Sequence, residues 1–404
     1  MKDVAPTSVS QPMRVILVDP SLFTGPYDAA LTEGLVSAGV EPLWAVRPTR
    51  AGDAPEIEPR YVDAFFYKKA DALRVAKPVR ALAKGLSHAV GLMSLVRRVA
   101  RQRPDVVHFQ WAVVPALDAL AMVAIRRFCP VVFTVHDTTP FNGDAIGVLQ
   151  RVGLDAVMSL SSRLIVHTQS GRESLVKRGI AEHKLAVVPH GPLRLRVPAE
   201  RKARGPEALR TFVLFGELKP YKGIDLLVEA VAKLPGELRA RARFVVAGRP
   251  RMDLTAVRAR IAELGLDACI ELRAERLSDL AMAELFAEAD CFVFPYRQVD
   301  ASGVYHLVKS LGRWLIATRV GVFAEDLRHG ADGVLIPPND EDALSTALAD
   351  AILEGRAVSV SADSSSSWEA IGAATRAIYG ESASRSRRPS AAPVAPSSWE
   401  ARGA

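Results

Sequence analysis

Hydrophobic residues in this chain fall into short unbroken runs, separated by stretches where apolar positions recur every three or four residues. The runs at 14–18, 106–109, 131–135, 164–167 and 185–189 are rich in Val, Ile, Leu and Phe. Their lack of alternation predicts strands buried on both faces, as in a parallel sheet covered by helices. The helical periods between them include Leu31, Leu35 and Val36, closed by Gly39. Residues 189–210 (PHGPLRLRVPAERKARGPEALR) break the pattern with Pro, Gly and Arg. The alternation then restarts, with strands expected at 211–215, 243–247, 270–272, 291–294, 314–317 and 333–336. The chain therefore divides into a disordered start at 1–12, an α/β domain at 13–190, a linker at 191–210 and a second α/β domain at 211–363. A helix over 364–380 follows, and residues 381–404, dominated by Ser, Ala, Pro and Arg without period, read as a disordered tail.

Open parallel sheets bind ligands outside the carboxyl ends of their strands, so the loops after strands are where chemistry is expected. The loop Phe215-Gly216-Glu217-Leu218-Lys219-Pro220-Tyr221-Lys222-Gly223 leads from a strand to a helix at 226–232. Gly216 and Gly223 let main chain approach a ligand closely. The helix start offers free amides and a positive dipole end, and Lys219 and Lys222 add two cations there. A diphosphate fits this set, although the spacing is neither a Walker loop nor a dinucleotide fingerprint. The loop at 295–305 precedes another expected helix, at 305–311. There Ser302, Gly303 and Val304 offer backbone amides, and Asp300 can orient a sugar hydroxyl. In the first half, His136 and Asp137 end a strand, and His136 suits a hydrogen-bond donor or proton carrier. His108, His167 and His190 hold comparable places, with a buried structural role the competing reading for each. Asp340-Glu341-Asp342 looks like a metal-holding triplet, but it opens a helix expected at 343–353, where acidic residues are favoured, and no metal is assigned to it.

Composition narrows the class. The 404 residues are 49% hydrophobic, yet no apolar run reaches the length of a membrane span, and the polar first twelve residues lack a signal-peptide core. Cys129, Cys269 and Cys291 have neither disulfide-framework nor metal-ligand spacing. A cytoplasmic protein is expected. The net charge of +7 is unevenly spread: residues 67–103 hold ten Lys or Arg against one acid, Asp71. Val79, Leu82, Leu86, Val90 and Met93 interleave with them at helical spacing. A basic amphipathic helix pair of this kind suits an anionic membrane surface or an acidic partner; an ordinary solvated face is the plain alternative. Few aromatic residues (6% of the chain) argue against a nucleic-acid partner.

Several segments, taken in order, carry a resemblance. FGELKPYKGIDLLVEAV looks like the donor-phosphate loop of the retaining, nucleotide-sugar-dependent glycosyltransferases of family 4. ADCFVFPY, SGV and LGRWLIATRVG resemble that family's nucleotide-sugar segment. GADGVLIPPNDEDALSTAL, TVHD and VVPHGP match further landmarks, so the likeness extends over residues 14–379. It implies the GT-B fold, two Rossmann-like domains facing across a cleft, with the nucleotide diphosphate-sugar donor on the C-terminal one and the acceptor on the other. It also implies that Gly216, Lys219, Lys222 and the amides of Ser302, Gly303 and Val304 stabilise the leaving diphosphate without a metal or other cofactor. Asp300 would hold sugar hydroxyls, His136 would contact the donor sugar, and Asp137 would help place the acceptor. A subgroup with PYKG and D-x-S-G loops is the nearest match. Two glutamates seven residues apart are usual in the family; here the first place falls to Asp300, with one residue deleted, and the second to Leu307. The loop's usual Arg is Glu217, and Arg313-Trp314 replace a common Pro, so nucleotide preference stays open. The implied acceptor is a glycan or lipid-linked sugar in exopolysaccharide or cell-envelope assembly, met at the inner face of the plasma membrane through residues 67–103. A nucleotide-sugar epimerase of the same fold and a non-catalytic nucleotide-sugar-binding protein are the rival readings.

Overall fold

The computed structural model describes residues 12–50, 55–68, 77–138, 148–200, 208–354 and 367–387. The expected disordered start up to residue 11, linker residues 201–207 and the tail from 388 lie outside these. The first sheet is built from β1 (Met13–Asp19), β2 (Val40–Val46), β3 (Val62–Ala64), β4 (Val106–Phe109), β5 (Val131–Val135), β6 (Arg163–Val166) and β7 (Leu185–Val187). All its pairings are parallel, in the order β3-β2-β1-β4-β5-β6-β7. Its helices are α1 (Gly25–Ser37), α2 (Lys77–Gln102), α3 (Pro115–Ile125), α4 (Val148–Leu160) and α5 (Gln169–Lys177).

The second sheet, also all parallel, uses β8 (Arg210–Phe215), β9 (Ala242–Ala247), β10 (Ile270–Arg273), β11 (Cys291–Phe294), β12 (Trp314–Thr318) and β13 (Gly333–Ile336). Its order is β10-β9-β8-β11-β12-β13. Helices α6 (Ile224–Lys233), α7 (Gly236–Arg239), α8 (Thr255–Glu263), α9 (Asp279–Glu288), α10 (Gly303–Lys309), α11 (Gly321–Asp326) and α12 (Glu341–Glu354) connect it. Every residue of β4, β5, β11 and β12 is buried, as the unbroken apolar runs predict. In each sheet the strand order reverses beside the first strand, between β1 and β4 and between β8 and β11. A crevice opens at such a switch point, outside the carboxyl ends. Residues 21–23 and 113–114 share one cavity with residues 215–217, and residues 297–300 share another with Asp137 and Ser170.

The structure departs from expectation in three places. The last helix, α13, runs Trp368–Arg387, so residues 381–387 are helical rather than part of a disordered tail. Ser382 and Ser384 return their hydroxyls to the carbonyls of Ile378 and Gly380, at 2.8 and 2.9 Å. Glu381 pairs with Arg163 at 3.0 Å, and α13 lies so close to α1 that a Cβ on Gly372 would sit 1.9 Å from the Gly34 carbonyl oxygen. Tertiary packing overrides the serine-rich composition. The strand β2 is unpredicted because Pro42 reads as a strand breaker. Yet β3 pairs only with Trp44–Val46, so Pro42 lies where β2 has no neighbour on that flank to receive a hydrogen bond. Where a basic helix pair is expected, the described residues hold one continuous helix, α2. Gly91 does not break it; a Cβ there would be 2.2 Å from the Phe66 ring, so the glycine allows close packing. Residues 69–76 of the basic stretch, Asp71 among them, lie outside the described residues.

Candidate active site

At the end of β8 the chain turns through Gly216, whose φ of +114° favours glycine. A Cβ on Gly216 would lie 2.7 Å from Lys222 Nζ and 3.1 Å from Val304 Cγ2, so the two expected anion loops converge here. Gly248, at φ +140° after β9, backs this point; a Cβ there would be 1.9 Å from the Gly216 carbonyl oxygen. The loop continues through a single 3-10 turn, Pro220–Lys222, into Gly223 at φ +67° and then α6. Arg297 ties the two loops together. Its guanidinium forks onto Asp225 at 2.6 and 3.0 Å and donates to the Pro220 carbonyl at 3.0 Å.

Lys222 is 4% exposed, and its Nζ donates to the Phe215 carbonyl at 3.1 Å, 5.1 Å from the centre of the Tyr296 ring. Burial lowers its pKa to about 7; Glu217 works against that shift and Lys219 adds to it. An ammonium desolvated to this degree gains strongly from an incoming anion. Lys219 sits at the loop's rim with its Nζ 3.8 Å from Glu217, whose carboxylate also meets Arg251 at 2.7 Å. Ser302 accepts the Tyr305 amide on its hydroxyl at 3.3 Å, so its side chain is committed as the cap of α10. The helix starts two residues earlier than expected, which puts Gly303 and Val304 in its first turn.

Asp300 and Asp137 meet in a separate recess of about 280 Å³, with Ser170 and Arg297 among its walls. The Asp300 carboxylate accepts the backbone N–H of Thr138, across the cleft from the second sheet to the first. Close by, both carboxylate oxygens of Glu325 on α11 accept amides from the start of α5, Gln169 and Ser170, at 2.7 Å each. A carboxylate at a helix N-terminus is a favourable contact, and this one joins the two domains.

His136 belongs to a third group. Its ring stacks on Trp111 with centres 4.8 Å apart, and its Nδ1 lies 3.1 Å from His167 Nε2. His167 gives its other N–H to the Val188 carbonyl at 3.0 Å, so its Nε2 accepts from His136 Nδ1–H. On the other side of the ring, His136 Nε2 lies 3.0 Å from Gln110 Oε1. Burial first, then His167, His190 and His108, hold His136 well below the ordinary histidine range. It is neutral, with both nitrogens engaged. His190 stacks on His306 of α10 at 4.3 Å, and Tyr27 packs edge-on or tilted against His136, His167, His190 and Trp368. His108 is spent on Tyr379 and Thr134, at 2.7 and 2.8 Å.

The structure thus brings Gly216, Lys222 and Val304 to one point and Asp137 and Asp300 to another, while Lys219 stands at the rim. Gly248, Arg297 and His306 are absent from the expected set. The strand-end logic that singles out Gly216 applies equally to Gly248, one residue past β9. Arg297 and His306 have no periodic or motif signal of their own. Asp340 caps α12 by accepting the Ala343 amide at 2.8 Å, while Glu341 and Asp342 pair with Lys233 at 3.0 and 2.7 Å.

Two facing Rossmann-like sheets, with two loops converging at the switch point of the second, have the architecture of the GT-B glycosyltransferases. The chain belongs to family 4 of those enzymes. A family model described as Glycosyltransferase Family 4 matches residues 29–191, and one described as Glycosyl transferases group 1 matches residues 210–354. The chain is 28% identical to the D-inositol 3-phosphate glycosyltransferase of Mycobacterium ulcerans, covering 91% of this chain and 85% of that protein. Among solved structures, Anabaena HepE in complex with UDP and glucose superposes with a TM-score of 0.62 at 16% identity, covering 92% of this chain and 95% of its own. Sucrose-phosphate synthase from Thermosynechococcus elongatus superposes at 0.63, also 16% identical, covering 92% and 94%. Both share the two-domain architecture.

Proposed function

We propose that this enzyme is a retaining, metal-independent glycosyltransferase that moves a sugar from a nucleotide diphosphate-sugar to a hydroxyl of an acceptor glycan. The observation that carries this reading is the convergence of Lys222, Gly216 and the first turn of α10 at one point facing the cleft. Cleaving the sugar's C1–O bond leaves negative charge on the diphosphate. A desolvated ammonium and oriented amides fixed in advance stabilise that charge with little reorganisation. Asp300, beside the boundary between the sheets, would accept sugar hydroxyls, and Asp137 would help place the incoming hydroxyl. The acceptor oxygen attacks C1 from the face that the diphosphate leaves and gives its proton to the departing diphosphate oxygen, which keeps the anomeric configuration and demands no covalent protein nucleophile. His136, neutral and braced on both nitrogens, would contribute the fixed edge of its ring to the sugar pocket rather than a mobile proton.

The acceptor side supports a lipid-linked sugar in exopolysaccharide or cell-envelope assembly. Val79, Leu82, Leu86, Val90 and Met93 form one stripe along α2, each at least half exposed. Arg97, Arg101 and Arg103 are exposed toward its C-terminal end. An apolar stripe with basic flanks matches an anionic leaflet. None of the helices among the described residues is long and apolar enough to cross a membrane, so contact would be peripheral.

A panel of UDP-, GDP- and ADP-sugars, read by thermal shift and then by nucleotide release with acceptor glycans, tests the reading. A ligand bound only by the native state raises its apparent stability. Release that depends on an acceptor is the expected result, and Lys222→Ala lowers it at least tenfold with the fold intact. Conversion of the donor without acceptor would identify an epimerase. Binding without release would identify a non-catalytic protein. Co-sedimentation with anionic vesicles, reversed by salt, tests the membrane contact.

A further inference from the structure

We propose that the groove between α2 and α3 binds one hydrocarbon chain of an anionic lipid drawn from the membrane leaflet, with the lipid's charged head at Arg97. This rests on the peripheral contact of α2 proposed above and names the lipid site within it. The groove has a volume of about 410 Å³, within the ordinary range of ligand sites. Eight of the nine residues that line it are apolar, and the ninth is Arg97. Ala89 on α2 and Ala121 and Ala124 on α3 keep its floor low, while Met93 and Leu120, 50% and 69% exposed, stand as its walls. Ala89 and Arg97 lie about 12 Å apart along α2 at 1.5 Å per residue, so the groove is elongated. Of the fifteen large hydrophobic side chains exposed among the described residues, seven lie on these two helices. Five form the stripe on α2, whose last member, Met93, also lines the groove, and Leu120 and Val123 carry the surface onto α3. A continuous apolar surface of this extent marks a place that meets an apolar partner.

Charge says what that partner is. Both helices run back against parallel strands of one sheet, so their carboxyl ends lie together. The Arg103 guanidinium over the Phe128 ring, at 4.6 Å, joins those ends. Arg97, Arg101, Arg103, Arg126 and Arg127 are all exposed toward them. No acidic residue occurs between residues 77 and 104 or between residues 119 and 136. Asp118, the one acid on either helix, is buried 2.9 Å from His88. An apolar groove with cations at one end matches a ligand of the reverse makeup, a hydrocarbon chain with one anionic head. A second copy of this chain would offer the same basic face, with no exposed acid on either helix to answer the arginines. At its other end the groove stops at Ala89, one helical turn from Gly85, which lines the cavity that reaches Gly216. A lipid held here keeps the mouth of the cleft against the leaflet.

The test titrates dodecyl phosphate, below its micelle concentration, and butyl phosphate into the full chain by calorimetry. The variants are Ala124→Trp, which fills the groove, and Leu120→Glu, an exposed position where the new charge meets the chain without disturbing the core. The expected result is saturable binding of about one dodecyl phosphate per wild-type chain, at least tenfold tighter than butyl phosphate, and at least tenfold weaker in either variant. Thermal shift with the nucleotide-sugar panel should be the same for wild type and Leu120→Glu, since the groove is separate from the donor loop. No saturable binding, equal affinity for the two alkyl phosphates, or binding that survives Leu120→Glu would overturn the proposal. Displacement of dodecyl phosphate by the stabilising nucleotide sugar would place it in the donor cleft and overturn it as well. Self-association in sedimentation, reversed by Leu120→Glu, would make the groove an interface between copies and overturn it. Vesicles of phosphatidylcholine with phosphatidylglycerol report separately on the membrane contact: Leu82→Glu with Leu86→Glu should abolish co-sedimentation while dodecyl phosphate still binds. Chain binding by a wild type that never co-sediments would support the groove and refute the membrane contact alone.

Discussion

The ammonium of Lys222 makes donor affinity depend on pH in a way the structure sets. Burial lowers its pKa from an ordinary lysine value to about 7 in the empty site. Only the charged form pairs with a diphosphate, so the apparent dissociation constant scales with the inverse of the charged fraction. That fraction is nearly complete at about pH 6, one half near pH 7 and about one in a hundred near pH 9, so affinity falls roughly a hundredfold across that window. Donor binding should draw up to about one proton from solution at the alkaline end. Replacing Lys222 with Met removes the charge at similar length. Loss of a charge-assisted hydrogen bond, about 1.5–3 kcal/mol, weakens donor binding by about 10- to 150-fold at pH 6 and flattens its pH dependence. Stability moves in the other direction. With its folded pKa below its unfolded one, Lys222 destabilises the fold fully below about pH 7, and the cost fades as pH rises toward 10.5. The Met variant should therefore melt higher than wild type at pH 6, by an amount on the order of a few kcal/mol in stability. Calorimetry with the stabilising nucleotide sugar, in two buffers of different ionisation enthalpy, measures affinity and proton uptake together. The phosphates of a nucleotide diphosphate-sugar hold no proton that titrates in this range. A flat affinity profile with no proton uptake would refute the pairing of Lys222 with the donor diphosphate.

Two glycines of the same loop should fail differently. Gly216→Ala pushes a methyl into Lys222 Nζ and Val304, and donor binding should fall at least tenfold, over and above the lower melting temperature that a side chain at φ +114° brings. Gly223→Ala drives a Cβ to 2.1 Å from the Pro295 carbonyl at a positive φ, a strain of about 1–3 kcal/mol that should appear as a lower melting temperature. Asp300→Asn keeps an oxygen for the Thr138 N–H but loses the charge. If the carboxylate serves the sugar, turnover measured by nucleotide release falls more than tenfold; unchanged turnover would reduce Asp300 to a clasp. Glu325→Ala removes both acceptors at the start of α5, and solution scattering should show a larger radius of gyration without donor.

Much of the architecture was legible because buried parallel strands carry no alternation to disguise them. Residues 106–109, 131–135, 291–294 and 333–336 occupy strands with the expected limits. The missed elements are those whose local composition contradicts their surroundings: β2 carries Pro42, and the end of α13 is a run of serines held by packing on α1 and by the Glu381–Arg163 pair. The close approach of the loops at 216–223 and 302–304 was legible in part for a different reason, since glycine at a strand end marks a place where main chain can come close. The sequence cannot reveal which side chains turn inward. Ser302 proves committed to its cap, and both nitrogens of His136 are engaged by Gln110 and His167, residues 26 and 31 positions away. The tie between Arg297 and Asp225 spans 72 positions and likewise emerges only when two loops fold together.

A crystal structure with the nucleotide sugar that most stabilises the enzyme tests the central claim most directly. The account predicts diphosphate oxygens within hydrogen-bonding distance of Lys222 Nζ and of the first-turn amides of α10, with Gly216 against the phosphates. A diphosphate bound away from this point, with Lys222 still turned only to the Phe215 carbonyl, would contradict it.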